Sequence, residues 1–331
     1  MKKILMIYII CLFILSGCEK SDDVDQPTID PSKEVELLED PTFSTGFNLL
    51  GVSPVEDGRT IQKWLDYGGH ATLTDRNVWF MAQWWTPYDL VDATYKEDDG
   101  KYIYETPSRT ISAQPSNDGY LRIDLSSAME YGDTPRQNGK PWTHALIEQT
   151  FNESVGMSEL SALILTLDFN IHYVNNMHEN NSYDSSIHAA HFLWYLTLTN
   201  RVDENANYDE VGKKGDFLWF GIPLYDNRFD FIEQTNHIDQ GAPGTTNKLI
   251  YSMSSSNYID EKIKFDKTYH VEIDVLPYLK EAFIYAISND ALINAQFENM
   301  QIGYMNLGWE IPGSFEVAST IQNISIKAVK K

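Results

Sequence analysis

Apolar and polar residues alternate with a period of two along most of the chain. The longest run, "LSALILTLDFNIHYV" from Leu160 to Val174, puts Leu163, Leu165, Leu167, Phe169, Ile171 and Tyr173 on one face. Thr166, Asp168, Asn170 and His172 fall on the other, which is the pattern of a half-buried strand. The stretches 120–127, 192–201, 216–222, 247–253, 268–275, 299–311 and 321–329 behave in the same way, with turn residues between them. One stretch departs from this period: "LPYLKEAFIYAISND" carries Pro277 at a helix start and repeats its apolar residues at spacings of three and four, which predicts a helix. Many strands, polar loops and one short helix predict an all-β fold, two antiparallel sheets packed as a sandwich.

Two of these strands share an aromatic pattern. "FLWYLTLTNR" (Phe192 to Arg201) and "DFLWFGIPLYDNR" (Asp216 to Arg228) both alternate aromatics and end on Asn-Arg. In the first, Phe192, Trp194, Leu196 and Leu198 share one face while Tyr195, Thr197 and Thr199 share the other. Two neighbouring core strands would look like this, so Trp194, Phe217 and Trp219 are expected in the core. The Asn-Arg endings would then be strand exits. Arg201 and Arg228 could line a cleft mouth and meet uronic acid carboxylates bidentately, or simply form surface ion pairs.

The N-terminus reads differently. "MKK", the apolar "ILMIYIICLFIL" and "SGC" have the charge, length and small-residue ending of a signal peptide over residues 1–17. "ILSGC" resembles the lipobox of bacterial lipoproteins, which implies cleavage before Cys18, lipidation of that residue and a membrane partner held through its acyl chains. Residues 18–41 hold nine acids, two lysines and no aromatic, the composition of a solvated tether. Their start, "CEKSDD", resembles the export signal of glycan-foraging Gram-negative bacteria, which implies a lipid-anchored protein of the outer membrane facing the exterior.

Removing residues 1–17 takes away Lys2 and Lys3 and no acid, so the formal charge moves from −23 to −25. That sign argues against nucleic acid as a partner. Cys11 lies in the discarded peptide and Cys18 would be acylated, which leaves no thiol for a disulfide, a nucleophile or a metal in residues 42–331, expected to form a single sandwich domain.

Taken together, the lipoprotein start, the tether, the Trp- and Tyr-rich strands and the closing "FEVASTIQNISIKAV" make the chain similar to secreted carbohydrate-active sandwiches of the jelly-roll or concanavalin-like kind. This resemblance implies binding of an extracellular polysaccharide or oligosaccharide, or hydrolysis or lysis of one. A structural surface protein without a glycan ligand is the further alternative. Jelly-roll alginate lyases carry a Gln-Ile-His strand, and "SIH" at Ser186 to His188 lacks the Gln.

Glycan recognition needs aromatic faces and planar polar side chains. "VWFMAQWWTPYDL" supplies Trp84, Trp85 and Tyr88, and an extended chain would point the adjacent tryptophans to opposite faces, leaving one outside the core. Asp168, Asn170 and His172 make a hydrophilic row that could meet sugar hydroxyls or could simply face water. "KPWTHALIEQTF" adds Trp142 and His144, the latter sharing a face with Glu148. For hydrolysis the candidate carboxylates are Glu148 and Glu310, each in an aromatic context, with Asp168 third.

No G-x-S-x-G elbow or H-E-x-x-H helix is present. His188 and His191 are three apart, a helical spacing in a stretch expected to begin a strand, so packing or loop hydrogen bonds are expected there and no metal site is assigned. No cofactor is expected. Acids of "VDENANYDE" (Val202 to Glu210) could hold a structural calcium, although a solvated loop fits their spacing better.

Overall fold

The computed structural model describes residues 33–331 apart from 75–77, 117, 133, 152–154, 180, 201–215 and 293–294. Its strands and helices, numbered along the chain, form two sheets. The eight-stranded sheet runs β15 (Thr268–Asp274), β10 (Leu160–Asn176), β17 (Phe315–Lys330), β8 (Tyr120–Ser126), β7 (Arg109–Gln114), β6 (Lys101–Glu105) and β5 (Thr94–Asp98), with β1 (Glu34–Glu36) also pairing with β17. The nine-stranded sheet runs β13 (Thr235–Ile238), β14 (Leu249–Ser252), β12 (Phe217–Asp226), β11 (His191–Asn200), β16 (Met300–Ile311), β9 (Thr143–Thr150), β4 (Phe80–Ala82), β2 (Phe47–Leu50) and β3 (Ile61–Leu65). The expected jelly-roll type of sandwich is present. Two neighbours depart from antiparallel pairing, β12 with β14 and β2 with β4, which run parallel.

The core lies between the sheets and is built by the alternation. On β10, Leu163, Leu165, Leu167, Phe169 and Ile171 are buried, as are Phe192, Trp194, Leu196 and Leu198 on β11. Phe169 meets Phe192 across the gap with ring centroids 6.1 Å apart. Each such side chain contributes roughly 1.5–3 kcal/mol by leaving water. A hydrogen bond also crosses the core, from Trp309 Nε1 on β16 to Ser319 Oγ on β17 at 2.9 Å.

The helix expected after Pro277 is α2 (Leu276–Ser288), which buries Leu276, Leu279, Ala282 and Ala286 along one stripe. A second, five-residue helix, α1 (Ser127–Tyr131), follows β8, where only one helix was expected in the chain; Ser126 caps it by accepting from the amide of Met129. The tether expected to reach residue 41 ends earlier. Glu34–Glu36 pair with β17, and Leu37 and Leu38 are buried, so apolar residues in an acidic stretch find a strand edge to pack on. Cys18 lies outside the described residues, and no helix among those described is long and apolar enough to cross a membrane.

Candidate functional site: a cleft over the nine-stranded sheet

The outward face of the nine-stranded sheet carries titratable groups in register. His191 on β11 pairs across with Asp226 on one side and Glu310 on the other, and Glu310 pairs with His144 on β9. Four adjacent strands thus present Asp226, His191, Glu310 and His144 as one row. Four residues further along comes a second row of Tyr195, Asn306 and Glu148. Between Asn306 and Glu310 the floor drops to the backbone at Gly308. Its φ is 152°, and a Cβ there would lie 2.2 Å from the carbonyl oxygen of Ala145, so a side chain is excluded.

A cleft of about 460 Å³ opens over these rows. Along it runs an arc of π-faces and cations, all of them lining residues except Tyr304, which is buried under Arg59. Arg136 lies 4.9 Å over the Trp142 ring, Trp142 stacks on His144 at 5.6 Å, and His144 meets the edge of Trp84 at 5.4 Å. The arc continues from Trp84 to Arg59 at 5.5 Å, from Arg59 to Tyr304 at 5.5 Å, and from Tyr304 through Trp219 to Tyr195 at 5.8 and 6.0 Å. A second cavity of about 580 Å³ lies beside Arg228; of the row residues only Asp226 lines it, and none of the arc's aromatic rings does.

The charges in the cleft are largely spoken for. Arg228 donates from Nε and Nη2 to Asp226 at 2.9 and 2.7 Å, and from Nη2 to His191 Nε2 at 2.9 Å. Burial works against the Asp226 carboxylate, yet His191 and Arg228 outweigh it and hold the group well below the usual range. Arg59 Nη1 reaches Glu148 Oε2 at 2.6 Å, and Glu148 is only 1% exposed. Burial opposes the Arg59 charge, but Glu148 and Tyr304 reverse the balance and raise its pKa. Trp142 Nε1 donates to Glu310 Oε2 at 3.3 Å. Burial lowers the pKa of His144 despite nearby Glu310, so at neutral pH it serves as a polar plane with no charge.

The sandwich holds these groups from below. Arg109 on β7, fully buried, donates to the carbonyl of His144 at 3.2 Å and to Thr143 Oγ1 at 3.0 Å, and pairs with buried Glu130 of α1 at 2.5 Å. Glu130 Oε1 also accepts from Thr86 and Ser108, so the first turn of the cleft wall and the start of β9 share one anchor. His188, buried in the loop before β11, accepts the amide of Asp184 and contacts the carbonyl of Arg136 at 2.8 Å, a loop hydrogen-bonding role as expected.

Of the residues singled out in the sequence, the cleft gathers Trp84, Trp85, Trp142, His144 and Glu310. Glu148 lies on the same face but under Arg59. Trp84 and Trp85 do not point to opposite faces of a strand, because Trp85 has a φ of 62° and its amide turns back to the carbonyl of Val52; both rings therefore border the cleft. Tyr88 is not among the cleft-lining residues. Asp168, Asn170 and His172 are on β10, in the other sheet and on its face away from the core. There Asp168 pairs with His270 and Asn323, and His172 contacts Asp266 at 2.9 Å and Thr320 at 2.7 Å.

Trp219, expected in the core with Trp194 and Phe217, is instead half-buried on the cleft face and donates to Thr246 at 3.1 Å. Arg228 is closed by Asp226 and is not open to a uronate. Arg201 and the acids of 202–210 lie outside the described residues. Asn306 carried no signal beyond alternation and Arg59 not even that, while His191 stood out only for its spacing of three from His188. Among the described residues no group of three or more His, Cys, Asp or Glu side chains is placed to hold a metal ion.

No family model matches the chain, and no curated protein matches it. Among solved structures it is similar to a family 12 xyloglucanase from Bacillus licheniformis, in complex with ligand, at 10% identity over 71% of this chain and 95% of that one, TM-score 0.41. It is similar also to the xyloglucanase domain of a type three effector from Sinorhizobium fredii, in complex with cellobiose, at 8% identity over 71% and 95%, TM-score 0.35. A family 11 xylanase from Neocallimastix patriciarum matches at 9% identity over 70% and 94%, TM-score 0.34. At scores this low, the cleft's chemistry rests on the chain's own residues.

Proposed function

We propose that the cleft binds a segment of an extracellular polysaccharide. The observation that carries this reading is the arc from Trp142 through His144 to Trp84 and, across Arg59, from Tyr304 to Trp219, set over a floor of Glu310, Asn306 and His191. Sugar rings offer a C–H face that packs on aromatic planes, and hydroxyls that exchange hydrogen bonds with carboxylate, amide and imidazole groups. The lipobox-like "ILSGC" and acidic "CEKSDD" support a place for this module on the exterior of the outer membrane, anchored through Cys18.

Binding without turnover fits better than hydrolysis. Glu148 faces Asn306 across the strands, and Glu310 faces His144, so neither carboxylate has another opposite it. Their backbone positions are four residues apart in register, roughly 13–14 Å along the sheet, so the two side chains would have to lean toward each other to act as a pair. Glycoside hydrolysis works with carboxyl groups about 5–5.5 Å or about 6.5–9.5 Å apart.

The test is a panel of neutral and acidic polysaccharides, scored for retention of the protein, for new reducing ends and for lyase absorbance. Retention without products, lost in Trp142→Ala while the melting temperature holds, is the expected result. Product release abolished in Glu310→Gln would make the protein an enzyme, and unchanged retention in Trp142→Ala would remove the cleft from the binding role.

A further inference from the structure

Ten buried polar side-chain atoms among the described residues make no well-formed hydrogen bond within the protein, and five of them belong to one place. They are Trp84 Nε1, His144 Nδ1, Glu148 Oε1, Asn306 Oδ1 and the Tyr304 hydroxyl, all on the cleft face of β9 and β16 or on the turn beside them; Tyr304 still leans on Glu148 and Arg59, and His144 on the Trp142 backbone, so the atoms with nothing to lean on are Trp84 Nε1 and Asn306 Oδ1. Glu148, Asn306, Tyr304 and His144 are 1, 5, 5 and 8% exposed. Folded proteins rarely leave such atoms unsatisfied, and a cluster of them marks a place where a ligand's polar groups complete the set.

Arg59 stands over this cluster. Its guanidinium carbon is 5.5 Å from the ring centroid of Trp84 and 5.5 Å from that of Tyr304, so a flat, partly polar group is already held between two aromatic faces. It sits on the loop joining β2 to β3, and its side chain is 38% exposed. The loop has its own bonds, Ser53 to Asp57 and Thr60 to Asp57, so the side chain can swing into water without the loop unfolding.

The atoms of this cluster define the ligand's chemistry. Glu148 Oε1 and Asn306 Oδ1 accept and so require donors, whereas Trp84 Nε1 donates and requires an acceptor. A metal cation would satisfy the first two and leave the indole N–H unpaired. An anion would meet the Glu148 carboxylate. Hydroxyl groups on a neutral ring do both, and the C–H face of such a ring packs where the guanidinium now lies.

We propose that Arg59 is a plug in a sugar subsite, and that a hydroxylated ring of the polysaccharide displaces it to stack between Trp84 and Tyr304 over Glu148. Glu148 then exchanges its bond to Arg59 for bonds from ring hydroxyls, while the freed guanidinium regains its hydration. The inference rests on the reading of the cleft as a polysaccharide site, and deepens it by naming a neutral, hydroxylated ring as the occupant and Arg59 as its competitor.

The test uses the soluble protein and whichever polysaccharide of the panel it retains, with affinities by calorimetry for wild type, Arg59→Ala and the double variant Arg59→Ala/Glu148→Gln. Removing the competing group is expected to tighten binding about tenfold. If Arg59→Ala leaves Glu148 too poorly paired to fold, the double variant answers instead, since it removes both charges and keeps an acceptor oxygen at position 148. An affinity equal to or below that of the wild type, in whichever of these variants folds, overturns the plug. If Trp142→Ala loses binding in that same experiment, the cleft reading stands and only the plug falls. Should no polysaccharide bind any of the three proteins, the cleft reading itself falls.

Discussion

At the scale of single residues, His178 illustrates how packing sets a charge. Its ring stacks on His188 with centroids 4.4 Å apart, Nε2 accepts the amide of Ser314 at 3.1 Å, and Nδ1 contacts Asn176 Oδ1 at 2.7 Å. Burial first, and the neighbouring imidazole second, bring its pKa from 6.5 to about 4. Because the folded value lies below the unfolded one, the unfolded chain takes up the proton first on acidification. The stability that neutral His178 supplies is whole above about pH 6.5, declines as the pH falls toward 4, and changes no further below that. Asp226 has the same sign in a lower window. Its contribution is intact above the ordinary carboxylate value of 3.8 and is lost as the pH falls further. Melting temperatures recorded from pH 7 downward should therefore fall less steeply between 6.5 and 4 in His178→Gln than in wild type; parallel curves would assign that slope to other groups.

At the scale of elements, strand alternation explains most of what forms and less of how it is joined. β10, β11 and the helix after Pro277 follow directly from apolar spacing, because each buries one face and the period records which face that is. β1 and α1 were not legible in this way. β1 is three residues long and exists because the β17 edge offers it partners, and α1 is a single capped turn whose Glu130 is fixed by Arg109 from another strand. The bond between Trp309 and Ser319 is the clearest tie between sheets. Ser319→Ala would leave the indole N–H without a partner at a site of zero exposure, at a cost of about 1–3 kcal/mol. Denaturant unfolding checks this, with an unchanged m-value expected and a midpoint shift required.

At the scale of the whole molecule, an acidic chain carries a cleft whose lining arginines are held by a carboxylate or by backbone oxygens. Arg59 and Arg228 are closed by Glu148 and Asp226, and Arg136 donates to the carbonyls of Lys140 and Ile187. A formal charge of −23 disfavours polyanions as partners, and the cleft is the face proposed to bind by hydrogen bonding and stacking. No described helix is long and apolar enough to cross a membrane, and the anchor proposed is Cys18. Cys18→Ala in cells should move the protein from the membrane fraction to the soluble fraction, and retention in the membrane fraction would dismiss the lipid anchor.

The sequence by itself determined the things that depend on neighbours along the chain: that strands dominate, which face of β10 and β11 turns inward, where α2 begins, and that Trp84, Trp142, His144, Glu148 and Glu310 lie in aromatic company. Local spacing carries that information because a side chain's face is decided by its own strand. What only the tertiary structure decided is which faces meet. Asp226, His191, Glu310 and His144 form a row because four strands from distant parts of the chain come into register, and no local period encodes that pairing. For the same reason Asp168, Asn170 and His172 fell on the far sheet, Trp85 turned through a positive φ to join Trp84 at the cleft, and Arg59, with no periodicity of its own, came to rest between two rings.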